Sequence, residues 1–210
     1  TPAGPNWTAE PLAGGLPHGV HHALASGGGW GVTNVIKASA LLAALLAWTA
    51  PAAAEVKDAG PAGFTVEHTR IVAVAPEAAW QGLVEGVDGW WSKDHSWWGP
   101  QSTLSIEPRA GGCFCERSPD GREAMHLQVA FIDPGHRLRM VGALGPLQGM
   151  GLHGVMEWQV LPAGQGTRIS VSYRAGGYTP EGVEDIAPAV DRVIGLQLGK
   201  LVDYLSAPAP

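Results

Sequence analysis

The chain has 210 residues, of which 45% are apolar and 15% are charged, and its formal net charge is -6. This length allows one domain with a core, or a domain plus an appendage, and 13 Lys and Arg residues are too few to predict a nucleic-acid partner, since phosphate binding needs clustered bases. The 30 Gly have no three-residue period, which excludes collagen, and two Cys cannot build a disulfide scaffold.

Charge and composition divide the chain near residue 54. Residues 1–54 contain one acid, Glu10, and one strong base, Lys37, so the other 18 acids and 12 bases lie in residues 55–210. Residues 1–31 mix Pro, Gly, Ala and His without helical or strand periodicity. We expect this segment to be disordered, or to be upstream sequence translated from a start that precedes the natural one near Val32.

Residues 32–54 have the layout of a secretory signal peptide. Lys37 precedes a short apolar stretch, and Ala52-Ala53-Ala54 supplies small residues before the polar Glu55. This order predicts export, with cleavage between Ala54 and Glu55 and a periplasmic location. The alternatives are a retained N-terminal membrane anchor, which would be the only contact with a membrane, or a cytoplasmic protein.

Strand and helix periodicities begin after a linker that we place at residues 55–61. Residues 64–74 alternate with a period of two and predict a long strand, with Phe64, Val66, Val72 and Val74 on one side. Pro76 then opens a helical segment, and a tryptophan-rich stretch follows at residues 89–99.

Six more strands are predicted between short turn-forming segments. They span residues 103–107, 113–117, 125–132, 137–143, 153–161 and 167–175. Connections this short favour antiparallel neighbours. Apolar residues from Ile186 to Leu205 then repeat at helical spacing, with Asp191 assigned to the polar face. The sequence therefore predicts an α+β domain at residues 62–206, in which a seven-stranded antiparallel sheet closes on a long C-terminal helix.

These residues resemble the SRPBCC superfamily, also called START-like or helix-grip proteins, and its polyketide-cyclase-like branch, which includes heat-shock ATPase activator homologues. The resemblance covers about two thirds of the chain. It rests on the element order and on these segments: 76–80, Trp90-Trp91, 108–112 with Glu116, 131–135 with Leu138, 166–173 and 191–201. It implies a helix-grip fold with a ligand-sized cavity, but the superfamily includes carriers, hydrolases and cyclases, so the function does not transfer with the fold.

A cluster of tryptophans provides the main candidate site. Four of the nine Trp lie within residues 90–98, where indole rings can form an apolar wall with an oriented N–H, or can plug the sheet as ordinary core. Strand alternation adds further candidates, with Phe131 and Leu127 expected to point inward and His126 outward. The predicted ligand-binding residues are Trp90, Trp91, His95, Trp97, Trp98, Cys115, Phe131, Trp158 and Tyr173.

Asp94 and His95 form the candidate catalytic pair. A titratable pair inside an apolar cluster can act as acid, base or metal ligand, whereas a lone His is more often a surface or satisfied core group. The sequence contains no Ser-His-Asp order, phosphate loop or dinucleotide motif, so we predict no cofactor and favour binding over catalysis.

Cys113 and Cys115 lie two residues apart on one face of a predicted strand. We expect no disulfide between them, because an extended backbone separates their Cβ atoms too far. A zinc site would need two more ligands, for which His95, His126 and Glu116 are candidates, but no CxxC or HExxH pattern is present. We therefore predict paired core thiols and no metal.

Two function hypotheses follow. In the first, the protein binds a small hydrophobic or aromatic molecule in a cavity between the sheet and the C-terminal helix. In the second, it is a cyclase-type or hydrolase-type enzyme that uses Asp94 and His95 in the same cavity. Apolar walls without convergent polar groups favour the first, and His95 pointing inward beside Asp94 or Glu116 favours the second.

Overall fold

The turn-forming segments reverse the chain at each predicted position and produce one antiparallel sheet. A computed structural model describes residues 55–207. Within these residues an eight-stranded sheet has the order β1-β2-β8-β7-β6-β5-β4-β3, and every pair of neighbours is antiparallel. The strands are β1 (Glu55–Gly60), β2 (Gly63–Val72), β3 (Thr103–Ile106), β4 (Cys113–Arg117), β5 (Glu123–Asp133), β6 (Arg137–Gly142), β7 (His153–Ala163) and β8 (Gly166–Gly176).

Three α-helices accompany the sheet within residues 55–207. They are α1 (Pro76–Glu85), α2 (Val87–Trp90) and α3 (Ala187–Ser206). Pro76 occupies the first turn of α1, where its missing N–H has no helical partner to lose. The 20-residue α3 packs mainly against β2 and also contacts α1 and α2, and the α+β helix-grip fold is confirmed.

The sheet has one more strand than the seven predicted. Residues 55–60 form β1 instead of the predicted linker, and they pair with the edge of β2 from Glu55 opposite Glu67 to Gly60 opposite Gly63. Val56 packs against the core, but the segment has little apolar alternation and pairs through its backbone with the edge of β2. The domain therefore begins at least seven residues before the predicted residue 62.

The segments before residue 55 lie outside the described residues. The predicted disordered region at residues 1–31 and the signal peptide or anchor at residues 32–54 both fall there. Within residues 55–207, no helix has the length and apolarity needed to cross a membrane.

Two β-bulges in β5 change which side chains face the helices. Phe114 and Cys115 pair with Leu127 and Met125, which leaves His126 as an extra residue in β5. His126 and Leu127 consequently both point inward, with 5% and 0% of their surface exposed. The predictions that His126 is exposed and that the strand alternates strictly are therefore wrong.

A buried hydrogen-bonded pair joins α3 to the sheet. His68 Nε2 donates to Asp191 Oδ1 at 2.9 Å and lies 3.1 Å from the Asp191 carbonyl oxygen. Both side chains are almost fully buried, so the assignment of Asp191 to the polar face of the helix is wrong. Gly195 lies one turn beyond Asp191, and a Cβ at this position would come within 2.8 Å of His68 Cε1. Gly195 therefore permits the close contact between α3 and β2.

Gly195 and Gly199 should respond in opposite ways to substitution by Ala. Gly195→Ala is expected to destabilise the protein, because the new Cβ overlaps the His68 ring. Gly199→Ala is expected to raise the free energy of unfolding by about 0.5–1 kcal/mol, because a Cβ there meets nothing within 4 Å and Ala favours the helix. Urea unfolding followed by far-UV circular dichroism measures both. Equal effects of the two substitutions would contradict the packing described here.

Candidate functional site

An apolar pocket lies where the first turns of α3 meet the segment between β6 and β7. We call residues 143–152 the pocket loop. The pocket has a volume of about 10 Å³, so side chains nearly fill it in this conformation. None of its lining residues is charged; they are Leu144, Pro146, Leu147, Ile186, Val190, Val193 and Ile194.

Two hydrogen bonds hold the pocket loop over the pocket. The Leu144 N–H donates to the Tyr173 hydroxyl at 3.3 Å, and Gln148 Nε2 donates to the Met125 carbonyl oxygen at 2.8 Å. Burial raises the pKa of Tyr173 to about 12, although the hydrogen bond from Leu144 lowers it, so the phenol stays neutral. Tyr173 anchors the buried start of the loop, whereas Gln148 is exposed and can be released at lower cost.

Glycines flank the apolar part of the pocket loop. Gly145 has φ of 50° and Gly151 has φ of 71°, a region that other residues rarely adopt. Both positions can absorb large backbone rotations. The loop therefore has the backbone freedom needed to move away from α3.

Half of the tryptophan cluster belongs to the core. Trp90 and Trp91 are 3% and 5% exposed, and the rings of Trp158, Trp90, Trp91 and Phe114 contact one another in sequence at centroid distances of 5.7, 5.6 and 5.0 Å. The indole N–H of Trp90 donates to the carbonyl oxygens of Gly82 and Leu83 at the end of α1. This aromatic column fills the space between the sheet and α2.

The other half of the cluster is held by a buried carboxylate. The backbone N–H groups of Trp97 and Trp98 each donate to Glu116 at 2.9 Å, and both indoles are half-buried. Arg122 lies over the Trp98 ring, 5.3 Å from its centroid. Glu116 itself, in β4, is 0% exposed. It therefore positions the backbone of the tryptophan segment.

His126 completes the surroundings of Glu116. Its Nε2 donates to Glu116 Oε2 at 3.0 Å, from the inward position created by the bulge in β5. Burial would raise the pKa of Glu116, but hydrogen bonds from His126, the Trp97 N–H, Ser102 and the Trp98 N–H together lower it to about 2. Glu116 is therefore ionised at neutral pH, and its hydrogen bonds join the segment that follows α2 to His126 in β5.

Asp94 and His95 lie on a short 3₁₀ turn within the tryptophan segment. Asp94 is exposed, and His95 is half-buried with its carbonyl oxygen accepting from the Trp91 indole at 3.4 Å. Burial lowers the pKa of His95 despite the opposing charge of Asp94, so the imidazole is neutral at pH 7. Neither residue lines the pocket under the pocket loop.

Cys113 and Cys115 are joined as a disulfide, which contradicts the predicted pair of free thiols. Their Cα atoms are 5.4 Å apart, shorter than two residues of regular strand and within the range that a disulfide can bridge. The pairing register of β4 shifts between Phe114 and Cys115, which makes the strand irregular at this point. Phe114 and Glu116 point inward, so the disulfide lies on the outer face of the sheet.

Two predicted ligand-binding residues therefore lie away from α3. Cys115 is on the outer face, and Phe131 is 43% exposed beneath Arg139, 5.4 Å from its guanidinium. The second bulge in β5, at Ala130, moves Phe131 to the face opposite Val129, so the expectation that it points inward is wrong.

The candidate zinc ligands are not brought together either. The two cysteines lie outside the sheet, whereas Glu116 and His126 lie inside it. In the part of the chain that the structure describes, no three His, Cys, Asp or Glu side chains converge as a metal site would require.

Sequence reasoning missed the pocket loop and the buried polar residues on the inner face. His68 shares the period-two face of Phe64 and Val66, a signal that was available in the sequence. The pocket loop has no periodicity, and only its apolar content, from Leu144 to Leu152, distinguishes it from an ordinary turn.

A second and larger concavity lies at the end of the sheet, beside the turn between β1 and β2. It has a volume of about 590 Å³ and includes Asp58, His153 and Arg174 among its walls. This groove is open, and it mixes charges of both signs. It lacks the enclosed apolar walls typical of small-molecule sites.

Comparison with known proteins identifies relatives of the domain. The profile of a family described as polyketide cyclase / dehydrase and lipid transport matches residues 63–206. No curated protein matches the chain.

Three solved structures illustrate the likeness of fold. A protein from Mesorhizobium loti is 17% identical with a TM-score of 0.51, covering 70% of this chain and 99% of that chain. A protein from Rhizobium loti is 20% identical with a TM-score of 0.51, covering 68% and 96% of the two chains. A protein from Rhodobacter sphaeroides is 20% identical with a TM-score of 0.50, covering 74% of this chain and 100% of that chain. At these identities the likeness shows the fold alone.

Proposed function

Since the chain belongs to the polyketide cyclase / dehydrase and lipid transport family over residues 63–206, we propose that it binds a small apolar molecule between α3 and the pocket loop. The observation that carries this proposal is the pocket under the pocket loop. Its walls are apolar side chains from two separate elements, the loop and the first turns of α3. An apolar ligand gains free energy there in proportion to the apolar surface that it removes from water.

Binding requires the pocket loop to move. With about 10 Å³ of space, the pocket admits a ligand only when Leu147 and its neighbours withdraw from Val190 and Val193. The glycines at 145 and 151 supply the rotation, and the hydrogen bond from Leu144 to Tyr173 keeps the start of the loop in place. The loop acts in this proposal as a lid with one fixed end.

The same lining argues against a cyclase or hydrolase reaction in this pocket. None of its seven residues titrates, and the candidate pair Asp94 and His95 lies outside it. General acid or base catalysis needs a titratable group within hydrogen-bonding reach of the substrate. The geometry therefore supports binding over catalysis.

The proposal predicts saturable binding of N-phenyl-1-naphthylamine, whose fluorescence rises in apolar surroundings. Val193→Phe should weaken this binding about tenfold or more, because the larger side chain occupies the space that the ligand needs. Leu196→Phe is the matched control on the same helix, since Leu196 is 41% exposed and lies outside the pocket lining. Leu196→Phe should bind N-phenyl-1-naphthylamine with the affinity of the wild-type protein.

Circular dichroism and thermal melting establish that both variants fold, since overpacking at Val193 costs about 1–3 kcal/mol. Equal affinity of the two variants for the probe would show that the probe binds outside this pocket. An absence of saturable binding to the wild-type protein, across apolar probes of different size, would contradict the proposed function.

A further inference from the structure

Gln197 is a buried polar residue whose amide donor has no acceptor. Its side chain is fully buried on α3, and its Oε1 accepts the N–H of Ser92 at 2.8 Å. Within residues 55–207, Nε2 contacts no hydrogen-bond acceptor. The orientation of the amide follows from this geometry, because a backbone N–H requires the oxygen and not the nitrogen as its partner.

A buried amide N–H without an acceptor is costly, and native proteins rarely retain one. The Ser92 N–H binds the oxygen of the Gln197 amide. The amide nitrogen therefore has no hydrogen-bond partner among the described residues. Such a group is explained by an acceptor that arrives from outside the chain. This acceptor is either a water molecule or an atom of a ligand.

The position of Gln197 associates its donor with the proposed ligand. Val190, Val193 and Gln197 follow one another at helical spacing on the buried face of α3, and the first two line the pocket. Gln197 lies one turn beyond Val193, about 6 Å along the helix axis. Gln197 itself is not among the residues that line the pocket, but side chains on a helix tilt toward its N-terminus, which is the end of α3 that the pocket occupies.

We propose that Gln197 Nε2 donates a hydrogen bond to an uncharged oxygen of the bound molecule, such as the carbonyl of a ketone or ester. This inference rests on the proposed function and names the class of ligand that the pocket selects. The acceptor is uncharged because no Lys or Arg lines the pocket, and a buried carboxylate would need such a partner. An apolar chain occupies the pocket, and its carbonyl reaches Gln197.

The test compares two probes of the same shape, 2-undecanone and 2-methyl-1-undecene, in which a methylene group replaces the carbonyl oxygen. Each displaces N-phenyl-1-naphthylamine from wild-type protein and from Gln197→Met. The ratio of the two affinities is measured within each variant, so a general change in folding or pocket shape cancels. Gln128→Leu, at an exposed position on the sheet, is the control.

The preference for the ketone should fall about 2–10-fold in Gln197→Met and stay at the wild-type value in Gln128→Leu, as expected for one hydrogen bond. Dodecanoate should bind more weakly than the ketone to the wild-type protein. An unchanged ratio in Gln197→Met would show that water or nothing satisfies the amide, and would overturn the inference while leaving apolar binding intact.

A second measurement does not depend on the variant folding. The infrared stretching frequency of ¹³C-labelled 2-undecanone should be lower when the ketone is bound to wild-type protein than when it is dissolved in hexane, because a hydrogen bond weakens the carbonyl. A frequency equal to that in hexane would overturn the inference. Failure of both probes to bind the wild-type protein would instead contradict the proposed function itself.

Discussion

Replacement of Trp90 by Ala is expected to lower the free energy of unfolding by about 3–5 kcal/mol, the cost of removing a buried Trp from a packed core. Trp90 is 3% exposed and lies between Trp91 and Trp158 in the aromatic column. Its indole N–H also holds the carbonyl oxygens at the end of α1. The substitution therefore leaves a cavity and removes the N–H donor of these two carbonyl oxygens. Urea unfolding followed by far-UV circular dichroism measures the loss.

Trp98→Ala provides the matched control from the same cluster. The Trp98 ring is half-buried against Arg122, and its backbone N–H, which Ala retains, makes the contact with Glu116. We expect a loss of about 1 kcal/mol or less, the size of an exposed cation–π contact. Similar losses for the two substitutions would contradict the division of the cluster into a core half and a surface half.

That division explains why the cluster suggested a binding site in the sequence. Trp90 and Trp91 end a short helix, and Trp97 and Trp98 follow a 3₁₀ turn. The sequence contains no feature that distinguishes indoles packed inside from those near the surface. Composition indicates that an aromatic surface is present, but only tertiary packing decides what covers it.

Features with a regular period were predictable from the sequence. The turn-forming segments and the alternation in β2, β7 and β8 predicted the sheet, since one face of each strand must be buried. The apolar stripe from Ile186 to Leu205 predicted α3. These patterns follow from backbone geometry and need no knowledge of distant contacts.

Features that depend on an interruption of the period were not predictable. The bulges at His126 and Ala130 reverse the alternation of β5 twice, so His126 enters the interior and Phe131 leaves it. Both bulges arise from pairing with neighbouring strands, which no local signal encodes. The errors at Phe131 and His126 share this one cause.

Glu116 connects the interior of the sheet to the tryptophan segment, and its contribution to stability should depend on pH. Its pKa in the folded protein is about 2, against an ordinary value of 4.5. A carboxyl whose pKa is depressed on folding stabilises the protein fully above its unfolded pKa, and this stabilisation is lost as the pH falls through the folded pKa. The carboxylate therefore contributes about 3 kcal/mol to the free energy of unfolding at neutral pH, and this contribution is lost between about pH 4.5 and pH 2.

Glu116→Gln should remove this contribution at every pH. The amide keeps one oxygen for either Trp97 or Trp98, but its NH₂ group faces a second N–H donor. We expect the variant to be less stable than the wild type by about 3 kcal/mol at pH 7, with the difference shrinking toward zero near pH 2. Urea unfolding of both proteins across this pH range measures the difference.

Glu123→Gln is the control, because the Glu123 side chain is 64% exposed and its ion pair with Arg117 lies at the surface. Exposed pairs of this kind contribute about 0–1 kcal/mol, so we expect little change at any pH. A difference between wild type and Glu116→Gln that stays constant from pH 7 to pH 2 would contradict the role of the carboxylate charge. It would leave Glu116 as a hydrogen-bond acceptor whose contribution does not depend on its ionisation.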